Sequence, residues 1–206
     1  MKPSRIPLFP LDVVLLPTMR LPLHIFEPRY KLMIARCLNE KLEFGVVLAV
    51  AQATATIGCT ARILEKIKAY ADGRMDILTE GHSVLQLKEI IEENMYYEAV
   101  VEYLTEDRPP AGAENEAGLV ELFQQCHILL FGRPWAGSDP YDSTQLSYQI
   151  AARLPLETAA KQSLLETRGE SKRRDFLIHW MAQGLPKFTR IRYTQQIAGG
   201  NGHGLN

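Results

Sequence analysis

The sequence predicts an α+β protein, with a small antiparallel β-barrel or sandwich carrying one packed helix, followed by a helical bundle. Three observations lead there. Up to about Asp107 the chain is written mainly in strand-length runs punctuated by hairpin turns. One amphipathic helical pattern interrupts those runs, and from about Ala113 the apolar period changes to 3.6. The 206 residues, 14 glycines and 12 prolines exclude collagen-like, low-complexity and mostly disordered classes, and the length allows one large domain or two small ones.

The helix of the first half is predicted at Pro28, where a first helical turn tolerates proline. Tyr30, Met33, Ile34, Cys37 and Leu38 then follow at i, i+3, i+4, i+7 and i+8. Phe44 to Val50 is an apolar, β-rich run suited to a strand buried on both faces. Ile57 to Tyr70 alternates, with Ala61, Ile63, Ile67 and Ala69 on one face and Arg62, Lys66 and Lys68 on the other, while Leu64 and Glu65 break the period. Asp72-Gly73 is a hairpin turn because both residues tolerate positive φ. Met75 to Leu78 is expected to end at a second break, Glu80-Gly81, before a strand over Val84 to Ile91 and another over Tyr96 to Leu104.

In the second half, Leu119, Leu122, Phe123, Cys126, Leu129 and Leu130 form one helical stripe, and a loop over Gly132 to Ser143 follows. Leu146, Ile150 and Leu154 suggest a short helix that Pro155 ends or kinks. Pro155 can also open a third helix through Leu164 and Leu165, with Gly169 as its C-cap. Phe176, Leu177, Trp180 and Met181 carry a last helix expected to close at Gly184 and Pro186. The expected organisation is a β-domain over 1–107, a linker in Glu106 to Gly112, a helical bundle over 108–198 and a flexible tail over 199–206.

Three widely spaced cysteines, Cys37, Cys59 and Cys126, make neither a disulfide scaffold nor a zinc motif, so a reduced, cytoplasmic compartment is expected. Pro7, Pro10 and Pro17 interrupt any export signal. The uncharged Phe44 to Ala61 stretch reads as two strands around a polar turn, so no membrane association is expected. The net charge of −1 hides asymmetry: Asp76 to Asp107 holds nine acids and one base, Lys161 to Arg192 eight bases and three acids. Each stretch is a solvated face, a binding surface or a contact between the two halves.

No P-loop, GxSxG or HExxH motif is present. Gly81-His82-Ser83 places histidine and serine on opposite faces of a strand, where they cannot share a proton. His24, His127 and His179 have no second ligand at metal spacing, so neither a metal nor another cofactor is expected. Trp135, on a loop, is a candidate binding anchor, whereas Trp180 fits a helix core.

The segment Pro7-Leu8-Phe9-Pro10-Leu11, Pro17, then Leu21-Pro22-Leu23-His24-Ile25-Phe26-Glu27-Pro28-Arg29-Tyr30 resembles the N-terminal substrate-binding domain of Lon proteases, in the form seen in stand-alone Lon N-terminal proteins. Ile57 to Ile63, Asp72-Gly73-Arg74, Gly81, and Leu154-Pro155-Leu156 through Glu166 resemble later blocks of that family. Many relatives carry Arg-Phe soon after Gly81, where this chain has His82-Ser83-Val84-Leu85. The resemblance implies a PUA-like β-domain with a helical bundle, a role in recognising unfolded or tagged proteins, and no proteolysis by this segment.

The leading expectation is therefore a non-catalytic module that binds hydrophobic or basic segments of unfolded or extended proteins. Pro22, His24, Phe26, Arg29, Tyr30 and Trp135 are the candidate peptide-binding residues. Pinning the helix to the barrel is the favoured reading of His24, Phe26 and Tyr30, and a structural ion pair or helix-end support that of Glu27 and Arg29. RNA or anionic-ligand binding through the basic helical half is the alternative, although nucleic acid is not the expected partner.

Overall fold

The computed structural model describes residues 2–51, 53–93, 95–105, 116–136 and 144–200. The strands are β1 (Arg5–Leu11), β2 (Arg20–Ile25), β3 (Phe44–Val50), β4 (Ala53–Thr54), β5 (Ile57–Ala69), β6 (Met75–Ile91) and β7 (Glu98–Tyr103). The helices are α1 (Pro28–Glu40), α2 (Glu116–Phe131), α3 (Leu146–Ala151), α4 (Thr158–Glu166) and α5 (Glu170–Gly200). The sheet runs β1-β7-β6-β5-β3-β4, with β2 on β6. A parallel β1–β3 pairing joins the path β1-β7-β6-β5-β3 end to end, which is how the antiparallel sheet closes.

The N-terminal prolines, which only excluded an export helix in the sequence, stand inside strands. Pro7 and Pro10 are tolerated because β1 changes partner along its length: Arg5, Ile6 and Pro7 register with β7, Leu8 to Leu11 with β3. Ile6 and Leu8 enter a core with Val47, Leu85, Ala99 and Val101. Helix α1 packs Tyr30, Met33, Ile34 and Cys37 inward, and the Tyr30 ring stacks on Phe9 at 4.0 Å. Lys41 in the left-handed region ends the helix, its N–H bonding to the Cys37 carbonyl.

The expected break at Glu80-Gly81 is absent: β6 runs unbroken for 17 residues. Gly81 is there for a close approach, since a Cβ would overlap the Leu16 carbonyl oxygen. It also donates to Met19 O (2.9 Å) and accepts from Thr18 N (2.8 Å). The irregularity seen around Leu64 and Glu65 is a register shift between Ile63 and Glu65, and a second lies between Lys66 and Lys68.

The chain divides into two compact units, Met1–Glu106 with Ala151–Arg168, and Asp107–Ile150 with Gly169–Asn206. Helix α4, expected in the helical half, thus belongs with the strands. Gln162 Nε2 donates to Ile57 O (3.1 Å), and Arg168 Nη2 donates to Thr105 O (2.6 Å). Helix α4 starts at Thr158 rather than Pro155, and its C-cap is Thr167 rather than Gly169. Helix α5 passes the expected stop at Gly184 and Pro186 and continues to Gly200. The missing amide of Pro186 costs one helical hydrogen bond. Burial of Phe188 against Trp180, with ring centroids 5.6 Å apart, offsets that loss. The expected linker at 106–112 lies outside the described residues apart from its unit assignment, as do 137–143 of the loop and 201–206 of the tail.

Part of the acidic stretch is structural. Glu98 is buried and accepts from Arg5 Nε (2.8 Å) and Arg36 Nη1 (2.7 Å), which ties β7 to β1 and α1. Burial pushes its carboxyl upward, but the two guanidinium groups outweigh that and hold it below the usual range. The stabilisation is therefore complete above the unfolded value of about 4.3 and is lost as pH falls through the lower folded value. Melting curves of wild type and Glu98→Gln between about pH 6 and 2.5 are expected to converge at the acid end. A constant gap at every pH would contradict this assignment.

Candidate functional site

Strand β2 delivers Pro22, His24 and Phe26 to the end of the sheet that carries the β5–β6 hairpin. The register opposes Pro22 to Leu78 and His24 to Asp76. Alternation then puts Pro22 and His24 on the exposed face, while Ile25 turns into the core. Gly73, at φ +81°, makes the tight turn that returns the chain from β5 to β6. Lys31 of α1 anchors that turn by donating to Asp72 O (2.9 Å).

The hairpin brings Tyr70 and Asp76 to His24. His24 Nδ1 donates to Asp76 Oδ1 (2.5 Å), and the Tyr70 hydroxyl donates to Asp76 Oδ2 (2.8 Å). The imidazole and then the phenol hold the Asp76 carboxyl below the usual carboxylate range. The His24 ring stacks on Phe26 and meets Tyr70 edge-on, each with centroids 6.0 Å apart. Lys68 Nζ and Arg74 Cζ lie 4.6 and 5.1 Å from the Tyr70 centroid. Phe26, which directly follows β2, is 58% exposed despite its size and stacks on the His24 ring.

The six candidates do not share one surface. Pro22, His24 and Phe26 are exposed neighbours. The Tyr30 ring is buried against Phe9 and serves packing, and burial raises its phenol above the ordinary value. Arg29 pairs with Glu27 through Nε and Nη2, both at 2.9 Å from Oε2, and covers the Tyr30 ring. Trp135 belongs to the other unit, half-buried. Its backbone N–H donates to Gln124 Oε1 (2.8 Å), and its ring lies 5.6 Å from that of His127. Sequence reading passed over Tyr70 and Asp76; the signal was their placement on either side of the Asp72-Gly73 turn, which carries both to one end of the hairpin.

Among the described residues, neither the His24 nor the His82 imidazole hydrogen-bonds a serine or cysteine: His82 pairs with Glu43 (2.6 Å), and Ser83 accepts from Lys2 Nζ (2.6 Å). All three cysteines are free and buried. Burial pushes the Cys37 thiol up to about 12 and Cys126 to about 11, and it raises Cys59 as well. No group of three or more potential metal ligands occurs among the described residues. Nor, among them, is any helix long and apolar enough to cross a membrane.

The fold is that of solved Lon N-terminal domains. A Lon N-terminal domain protein from Xanthomonas campestris superposes with a TM-score of 0.69 at 24% identity, over 86% of this chain and 99% of that one. The N-terminal domain of Mycobacterium avium complex Lon protease gives 0.67 at 20% identity, over 86% and 98%. In sequence, Lon protease from Buchnera aphidicola subsp. Baizongia pistaciae (strain Bp) is 29% identical over 194 residues, 84% of this chain and 24% of its own length. Lon protease from Escherichia coli (strain K12) is 29% identical over 201 residues, 85% and 24% respectively. The chain thus spans about a quarter of the length of these relatives. Residues 5–183 match the family model of the ATP-dependent protease La (LON) substrate-binding domain, and the chain belongs to that family.

Proposed function

We propose that this chain is a non-catalytic, cytoplasmic module that binds unfolded or extended protein segments through the exposed face formed by Pro22, His24 and Phe26. The observation that carries the reading is Phe26: a large aromatic side chain 58% exposed beside an ordered His24–Asp76–Tyr70 cluster. Family membership supports it, since the family is described by substrate binding.

Binding on this face is favoured over addition of a peptide strand to a sheet edge. Strand β2 pairs only with β6 among the described residues and carries Pro22, which lacks an amide donor. In β5, residues 62–69 pair with β6 alone among the described residues, but two register shifts and the exposed Lys66 and Lys68 blunt that edge. The RNA alternative loses two of its cations, because Arg173 and Arg174 are buried against Glu170.

Titration of fluorescently labelled unstructured peptides tests the proposal. Phe26→Ala is expected to weaken binding about tenfold, the scale of one aromatic anchor, without moving the unfolding transition. If no peptide binds wild type more tightly than about 1 mM, the proposal is overturned.

A further inference from the structure

The face that leads to Phe26 is three strands wide. The β2–β6 and β5–β6 registers set His24, Asp76 and Lys68 in one row, Pro22, Leu78 and Glu65 in the next, and Arg20, Glu80 and Arg62 in a third. Residues opposed in this way share a face. The acidic run that begins at Asp76 suggests basic partners, yet on this face its carboxylates are occupied. Asp76 accepts on both oxygens, from His24 and Tyr70, and Glu80 accepts from Arg62 Nη2 (3.1 Å). At the hairpin turn Asp72 also accepts on both oxygens, from Arg74 N (3.1 Å) and Arg74 Nε (2.6 Å).

Lys68 is the opposite case. It is exposed, and its ammonium lies 4.6 Å from the Tyr70 ring centroid with no hydrogen bond or ion pair among the described residues. The row of His24 therefore offers a visiting segment open donors and saturated acceptors. Glu65 makes no ion pair among the described residues either, but it stands in the row of Pro22 and Leu78, so the open charge beside Tyr70 is that of Lys68. Two steps of 6.0 Å, Phe26 to His24 and His24 to Tyr70, separate the exposed aromatic ring from the ring that Lys68 meets. About four residues of extended chain cover that span.

We propose that this face selects protein segments carrying an aromatic or large apolar residue and, within about four residues of it, a carboxylate, with Phe26 receiving the first and Lys68 the second. This rests on the peptide-binding reading above and adds the chemistry of the partner to it. A nucleic-acid strand is the less suited anion. Its charge recurs at every nucleotide and would pass over the Asp76 carboxylate, and the Tyr70 ring is already engaged by Lys68, Arg74 and His24 rather than open to a base. An exposed ammonium acts at the rim, so the selection is salt-sensitive.

The test uses three labelled, unstructured peptides with one phenylalanine in a serine and glycine background. They differ only at the positions four residues to either side of it, which hold aspartate, asparagine or lysine. Wild type is expected to bind the aspartate peptide about fivefold more tightly than the asparagine peptide, the upper end for an exposed ion pair, and the lysine peptide no more tightly than the asparagine one. In Lys68→Gln the aspartate and asparagine peptides are expected to bind alike. Arg20→Gln removes an exposed cation from the far end of β2 and is expected to keep the preference. Raising salt from about 0.05 to 0.3 M is expected to abolish it. A preference that is absent from wild type, survives in Lys68→Gln or is lost equally in Arg20→Gln overturns the inference, as does an oligouridine that outcompetes the aspartate peptide. If Phe26→Ala still weakens the peptides in that case, the peptide-binding reading stands without it; if no peptide binds wild type more tightly than about 1 mM, both fall.

Discussion

Glu170→Ala is expected to cost about 3–5 kcal/mol, the scale for removing one partner of a buried charge network. Glu170 is 2% exposed and Arg173 fully buried at 0%. Glu170 Oε2 accepts from Ser147 Oγ (2.6 Å) and Arg173 Nη2 (2.9 Å), while Oε1 accepts from Ser147 N and Arg174 Nε, both at 2.9 Å. Arg173 Nε also donates to Ser147 Oγ (2.9 Å), and its guanidinium lies 4.2 Å from the Tyr148 ring centroid. Without Glu170 the buried Arg173 guanidinium loses the carboxylate that pairs with it. Arg173→Met added to Glu170→Ala is expected to recover part of the loss, because it removes the buried guanidinium that Glu170 pairs with. Both tryptophans, Trp135 and Trp180, lie in this unit, so urea titrations followed by their fluorescence read the effect directly. A change under about 1 kcal/mol in Glu170→Ala would refute the assignment of a stabilising network.

Gly81→Ala is expected to destabilise the β-unit by about 3 kcal/mol or more, at the upper end of overpacking effects. The added methyl meets backbone, since the Leu16 carbonyl oxygen overlaps it and the carbonyl carbon lies at 2.8 Å, and backbone cannot rotate away. Gly73→Ala is the informative contrast. Its neighbours stand no closer than 3.8 Å, but φ of +81° leaves an alanine strained, so about 1 kcal/mol is expected. Far-UV circular dichroism during denaturation separates the two. Equal losses would mean that the Leu16 approach yields easily.

Local chemistry made several elements legible. Asp72-Gly73 announced its turn, and Tyr30, Met33, Ile34 and Cys37 announced the inward face of α1, because both signals depend on neighbours a few residues away. Other features depended on distant partners. Gly81 read as a break and proved to be a contact with Leu16; Pro186 read as a stop, yet the helix continues past it to bury Phe188. At the candidate site, Pro22, His24 and Phe26 were legible as a dense block. Tyr70 and Asp76 were not, since only the β2–β6 register sets them beside His24.

By itself, then, the sequence determined the α+β class, the hairpin punctuation, the amphipathic helix and the family, because periodicity, turn chemistry and a contiguous motif are local properties. Tertiary structure alone decided which candidates face outward. Tyr30 and Phe26 stand four residues apart in one motif, yet one ring stacks in the core on Phe9 and the other is open to a partner. The physical reason is that burial and charge compensation are settled by strands and helices far off in the chain. The same distance explains why Glu98 and Glu170 are buried structural anchors rather than surface charges.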